Sequence, residues 1–243
     1  MNTAIASAAA SVTAKPTAVK AVYDRLRSDI IHSLLAPGEK LAIDEMAARY
    51  RIGVNPVREA LNRLSSENFV EHREQRGFYV RPASLREFRE LVQARCLVDC
   101  QALEQAVSNA SPAWEAALLA AHAALLAADR GTGMDEAGRQ WEALHCNFHH
   151  ALIGAAGSTW LRRLSDELMH QAGRYRFLGD AHSESQRNTP DEHRAIMDAA
   201  LARDAALASR LLREHFSRTL MLLEARFGNA SQVVVNGIVV SAD

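Results

Sequence analysis

Pro82 divides this sequence into two kinds of patterning. Before it lie short helical periodicities and two strand-like runs; after it, Ser84 and Glu87 form a capping box and almost every segment repeats with helical spacing. A chain whose period changes once, at a residue that ends a strand, is expected to fold as a small mixed unit joined to a helical one. The expected division is an Ala/Ser-rich disordered tail over 1–18, a first unit over 19–82, a helical unit over 83–227 and a tail or small hairpin over 228–243.

In the first unit, Val22, Leu26, Ile30 and Leu34 recur every four residues, predicting a helix over Ala18–Leu34 that stops at Ala36-Pro37-Gly38. Asp44 to Tyr50 reads as a second, short helix with acids at the positive end of its dipole. A third follows at Pro56, with Asn55 as its cap and Pro56 at its first position. Its stripe of Val57, Leu61 and Leu64 turns Arg58, Asn62 and Ser65 to the opposite face. Phe69–Arg73 and Gly77–Arg81 then read as two strands around Glu74-Gln75-Arg76. Two short helices, a tight turn and a hairpin predict a winged helix-turn-helix.

Beyond Pro82, starts at Ser84, at Ser111-Pro112, at Ser158 and at the Thr189-Pro190-Asp191-Glu192 capping box predict about six helices. Stripes such as Leu118 with Leu125, and Leu207, Leu211 and Leu222, predict an antiparallel bundle with short connections. The fold class is therefore mostly α. Asn236-Gly237 between Val-rich runs predicts a terminal hairpin.

A formal net charge of −1 argues against a nucleic-acid partner only until it is divided. Residues 1–82 carry 12 Lys/Arg and 9 Asp/Glu, net +3, and the remainder carries 16 and 20, net −4. The three cysteines, Cys96, Cys100 and Cys146, fit no CxxC pattern, which predicts free thiols in a reducing compartment. No apolar run approaches the roughly 20 residues of a membrane span, and the first residues lack the charge and leucines of a signal peptide; the expected location is cytoplasmic, with no membrane partner.

Eight of the ten histidines follow residue 83. His145 and His149 sit four apart on one predicted helix and aim the same way, while His150 points about 100° aside. With His193 and His215 on the last two helices, four imidazoles would suit a divalent transition metal such as Zn, Ni or Cu. The alternative is a hydrogen-bonded structural pair. The sequence carries no phosphate loop, no HExxH and no GxSxG. A histidine site without an evident general base reads as a sensor before an enzyme; a metal-dependent hydrolase or a metal-binding bundle is the alternative.

The chain resembles the GntR family of bacterial transcription regulators, in the FadR subgroup with an FCD effector domain. The likeness is carried by Val22–Arg27 through Leu35–Leu41, by Pro56–Leu61, by Arg76–Val80, and then by Leu144–His149, Glu192–Ile196 and Arg213-Glu214-His215. It implies a homodimer on an inverted repeat of double-stranded DNA. Arg58 would read a guanine edge, Asn55 and Asn62 would add base or phosphate bonds, Arg49, Arg51 and Arg63 would hold phosphates, and Arg76 with Gly77 would enter the minor groove. Many relatives place Ser-Arg-Thr before the proline, where this chain has Gly53-Val54-Asn55. Metal-bearing relatives use an acid and three histidines, and the acid position here is His145; the change should favour Zn or Ni over harder ions, or leave the histidines to bind an acidic effector directly.

The resemblance further implies a small organic acid as effector, with Arg95, Arg174 and Arg176 as candidates for its second carboxylate, each alternatively a structural ion pair, as Arg95 with Asp99. The Gly-Val-x-Pro turn and Arg174-Tyr175-Arg176 look most like the carbon-starvation-type repressors. That likeness points to a repressor released by a C5 dicarboxylate or 2-hydroxy dicarboxylate.

Overall fold

The computed structural model describes residues 17–131, 135–178, 189–227, 232–235 and 238–241. Most of the expected tail at 1–18 lies outside them. The first unit is α1 (Ala18–Ile31), β1 (Lys40–Leu41), α2 (Ile43–Tyr50), α3 (Val54–Ser66), β2 (Val70–Arg73) and β3 (Gly77–Val80). The strands form an antiparallel sheet in the order β1-β3-β2, and Arg73 pairs with Gly77 across the wing turn. That turn needs positive φ at Gln75 and at Gly77, where glycine adopts +88° without strain.

Two local expectations are corrected. Helix α1 ends at Ile31, and Ser33 with φ +57° turns the chain so that Leu35, fully buried, fills the position expected of Leu34. Helix α3 starts at Val54 with Gly53 as its cap, so Asn55 and Pro56 are its second and third residues. Proline is tolerated there because the first N–H groups of a helix have no partner within it. The strand β1 carried too few residues to show a period. Leu26, Leu35, Leu41, Val57, Leu61, Leu64, Phe69 and Val80 form this unit's core.

The bundle comprises α4 (Leu85–Ser108), α5 (Pro112–Ala127), α6 (Glu136–Leu152), α7 (Thr159–Arg176), α8 (Thr189–Leu201) and α9 (Ala205–Phe227). Ser84, Ser111 and Ser158 cap α4, α5 and α7, each accepting a bond from the backbone N–H three residues on. Thr189 is instead the first residue of α8 and is buried. Helix α4 packs on α7 and α9, α8 lies on α9, and α5 pairs with α6. Along α9 the buried positions are Ala208, Ser209, Leu212, His215, Phe216 and Leu223; Leu207, Leu211 and Leu222 sit at its margin. The leucines alone misplaced that stripe because an alanine and a histidine carry part of it. Two further strands, β5 (Gln232–Val235) and β6 (Ile238–Ser241), form the expected hairpin. Its second strand β6 is central in the sheet and pairs in parallel with β4 (Ala83–Ser84), directly behind Pro82.

Helix α7 holds the winged helix against the bundle. Gln171 Nε2 donates to the carbonyl of Glu67 at 2.6 Å, and Arg174 Nη2 donates to the carbonyls of Arg81 and Pro82 at 2.6 and 3.2 Å. A Cβ at Gly173 would stand 3.2 Å from Ile31 Cγ2, so glycine permits α1 and α7 to approach. The ring of His32 lies 4.5 Å from that of Phe177.

Burial pushes the imidazoles of His32 and His170, both at this joint, below their ordinary pKa of 6.5. Both are neutral in the fold, whereas the unfolded chain takes up their protons as the pH falls through 6.5. Their contribution is complete above that value and declines below it. The denaturation midpoint, measured in chelator to set aside metal loss, is expected to fall between about pH 7 and 5. It should fall less steeply in His32→Gln; an equal slope in both proteins would assign the pH dependence elsewhere.

Candidate metal centre and nucleic-acid face

Helix α3 presents Asn55, Arg58 and Asn62 to solvent, opposite its buried stripe, and Val54 is exposed at its first turn. Arg51, at the left-handed C-cap of α2, and Arg76, at the wing tip, are exposed as well. Among the described residues none of Arg51, Arg58 and Arg76 is held in an ion pair, which leaves three guanidinium groups available to phosphates and base edges. The other two arginines are engaged. Arg49 lies 3.4 Å from Asp29, and Arg63 is bound to Glu67 at 3.0 Å with its guanidinium 3.9 Å over the ring of Tyr23. Arg63, expected to hold a phosphate, is paired in this structure because the helix spacing that exposes it also places Glu67 one turn away.

In the bundle, His145 and His149 from α6, His193 from α8 and His215 from α9 converge, all of them buried. One ligand nitrogen from each lies within 4.8 Å of every other, and the Nε2 atoms of His145 and His149 are 3.1 Å apart. Two ligands at the usual Zn–N length of about 2.0 to 2.1 Å sit roughly 3 Å apart, so the spacing fits a common ion. Burial holds His145 and His149 well below the ordinary imidazole range, and their neighbouring imidazoles push the same way. Both are neutral with lone pairs available, the form a metal requires. His215 Nδ1 lies 2.9 Å from Glu192 Oε2, and Glu192 Oε1 lies 2.9 Å from Arg218. Such a carboxylate contact on the outer nitrogen orients a ligating imidazole. The ring of Trp141 stacks on His145 at 4.9 Å.

A cavity beside the histidines is lined by Arg95, Arg130, Trp141, His145, Arg176, Thr189, His215, Phe216 and Thr219. It adjoins a second cavity of about 150 Å³ that shares Arg130, Trp141 and Thr189 and reaches His193. Arg95 is fully buried on Asp99, 3.2 Å away, with its guanidinium 3.8 Å over Phe216. Arg176 is bound through Nε to Glu142 Oε2 at 3.2 Å and through Nη2 to Oε1. Three polar atoms on the first cavity's wall are buried without a hydrogen-bond partner: Arg95 Nη2, His145 Nδ1 and Thr189 Oγ1. Buried polar groups are satisfied as a rule, so three without a partner around one cavity set it apart.

Arg174 is not among these residues. Its guanidinium faces away, into the joint with the winged helix, and its assignment as an effector ligand is corrected. Arg174 and Arg176 are two apart on a helix and so point in opposed directions, which spacing showed without showing which of them faced the cavity. Sequence reasoning missed Arg130, whose guanidinium lies 4.3 Å over Trp141, because it sits between helices where no period places it. It also missed Trp141, although its position four before His145 puts it on the same face.

The comparisons with known proteins agree with this geometry. Residues 18–80 match the family described as bacterial regulatory proteins, gntR family, and residues 90–218 match the FCD domain. The uncharacterized HTH-type transcriptional regulator BphR of Paraburkholderia xenovorans (strain LB400) is 39% identical over 212 residues, 86% of this chain and 86% of its own. The HTH-type transcriptional repressor GlaR of Escherichia coli (strain K12) is 31% identical over 212 residues, 85% of this chain and 96% of its own. Among solved structures, E. coli McbR/YncC superposes with a TM-score of 0.70 at 21% identity, over 87% of this chain and 99% of its own, a likeness of fold.

Proposed function

The chain belongs to the GntR family of bacterial regulatory proteins and carries an FCD domain behind its winged helix, and from that premise we propose that it is a metal-dependent repressor released by a small dicarboxylate or 2-hydroxy dicarboxylate. Its reading head covers residues 19–82 and its sensing and dimerising unit residues 83–227. Two copies bind an inverted repeat of double-stranded DNA, each with α3 in the major groove and the wing at the neighbouring minor groove. Exposed Leu97 and Met221, on the adjoining helices α4 and α9, support pairing of two such chains. The printed description of GlaR as a repressor supports the sign.

The observation that carries this reading is the trio of buried, unbonded polar atoms beside four converging histidines. Those histidines would hold Zn, or Ni, since an all-imidazole set suits borderline ions. A bound ion would offer a carboxylate an open coordination position. Arg95 Nη2, 3.2 Å from Asp99 Oδ2 but without a hydrogen bond, can turn to the effector's second carboxylate, and Thr189 Oγ1 can accept from a hydroxyl. Arg176 can reach the same carboxylate only by loosening its bond to Glu142. Because Arg176 lies on α7, one turn from Gly173 at the joint, that exchange reaches the helix on which the winged helix rests. A ligand can shift the two arrangements only by its difference in affinity for them, and this exchange supplies one.

Fluorescence anisotropy with DNA from upstream of its own gene tests the reading. Zinc-loaded protein should bind in the nanomolar range, and millimolar 2-hydroxyglutarate or glutarate should weaken binding at least tenfold. Arg95→Met should bind DNA as tightly and lose that response. Binding without sequence preference, or no response to any dicarboxylate, would defeat it.

A further inference from the structure

A further cavity lies at neither site. It is a groove of about 460 Å³ between α1 of the winged helix and α6 and α7 of the bundle, lined by Arg27, Ser28 and His32 on one side and by Arg139, Glu142 and His150 on the other, with His170 beside them. Five of these seven side chains carry basic nitrogens.

The charged groups around the groove are mostly engaged. Glu142 is bound by Arg176 and by the thiol of Cys146, Arg139 by Glu136, and Asp24 at the rim by Lys20. Asp166 lies 3.0 Å from His150 and 3.4 Å from His170. Two atoms stand apart. Arg27 Nε is buried and makes no hydrogen bond, its guanidinium resting 5.4 Å over Phe69. His32 is 95% buried; its Nδ1 lies 2.8 Å from the carbonyl of Ser28, a contact only a protonated Nδ1 can make. The other nitrogen, Nε2, is therefore an acceptor, and it too is buried without a partner. Arg27 and His32, which line one wall of the groove, thus each carry a buried nitrogen without a partner, one cationic donor and one neutral acceptor.

We propose that this groove is a second ligand site, for a small anion that also carries a hydroxyl group. The anionic group meets Arg27, and the hydroxyl donates to His32 Nε2. The shared chemistry belongs to hydroxycarboxylates and to phosphate monoesters of small polyols. Because its walls come from both units, an occupant stabilises the arrangement in which they are docked, and so acts on DNA binding without passing through the metal centre. Glu142 is common to both sites: one face lines the groove, and its carboxylate holds Arg176 of the effector cavity. The two ligands are expected to influence each other's affinity, and by the same factor in each direction.

The test is calorimetric titration of the full chain after metal removal, and of the His149→Ala/His193→Ala variant, with D-glycerate, propionate, glycerol 3-phosphate and inorganic phosphate. Saturable binding of glycerate or glycerol 3-phosphate is expected in both proteins, at least fivefold tighter than its hydroxyl-free counterpart. Arg27→Gln should weaken it tenfold or more. His32→Phe, which keeps a ring against Phe177, should abolish the preference for the hydroxyl. The carboxylate and phosphate arms identify which anion fits. Absence of saturable binding by all four probes would overturn the proposal, as would binding untouched by both substitutions. Binding abolished by loss of the histidines alone would place the molecule at the metal centre and overturn it equally, whereas failure of the dicarboxylate response leaves this site standing.

Discussion

Purified His149→Ala/His193→Ala protein is expected to contain essentially no zinc or nickel, where the unaltered chain carries about one ion. Two of four converging ligands are gone, and the remaining pair cannot complete a tetrahedral site. The thermodynamic effect follows from mass action: an ion that binds only the folded chain, present at about 1,000 times its dissociation constant, adds roughly 4 kcal/mol of stability. For a chain of this size that corresponds to a shift of roughly 8 to 16 °C in the unfolding midpoint. Chelator should therefore lower the midpoint of the unaltered protein by about that amount and leave the variant unmoved. Elemental analysis beside the two melting curves decides it. Unchanged metal content in the variant, or a chelator shift that persists in it, would remove the metal assignment.

Arg58→Ala is expected to weaken operator binding by about 1 to 3 kcal/mol, roughly tenfold to a hundredfold, and to relax the preference for one base pair, the usual worth of a bidentate contact to guanine. Binding to random DNA should barely change. Arg63→Ala provides the contrast: its guanidinium is already committed to Glu67 and Tyr23, so DNA affinity and its salt dependence should stay the same. Both are measured by anisotropy at several fixed salt concentrations, since affinity without its salt concentration has no meaning here. An equal loss on specific and random sequences would make Arg58 a phosphate contact.

Elements written as periods were legible in the sequence. The stripe Val57, Leu61, Leu64 fixed which face of α3 is buried, and hence that Arg58 and Asn62 are exposed. The four histidines were legible because two share a helix face and because the helices bearing the other two were recognisable, although only packing brings three helices together. What local spacing cannot express is what lies across a gap. Arg63, Arg95, Arg174 and Arg176 look alike as residues on helices, yet the first meets a tyrosine, the second and fourth line a cavity, and the third ties down the linker. A guanidinium on a long stem takes its role from its neighbours in space. The start of α3 was misread for a different reason: Asn and Pro both favour helix starts, and glycine caps without a side chain that announces it.

The parallel pairing of β4 with β6 bears on the order in which this protein is made. Ala83 and Ser84, the first residues beyond the winged helix, find their strand partners in Val240 and Ser241. A ribosome adding roughly 5 to 20 residues per second leaves them without those partners for on the order of ten to thirty seconds. Throughout that interval the reading head, whose buried core residues all lie between Val22 and Val80, can already fold. The nascent chain therefore holds a complete DNA-reading surface on an untied linker before any sensor exists to govern it. Docking of α7, through Gln171 and Arg174, first joins reader to sensor, and pairing of β6 with β4 closes the linker behind it.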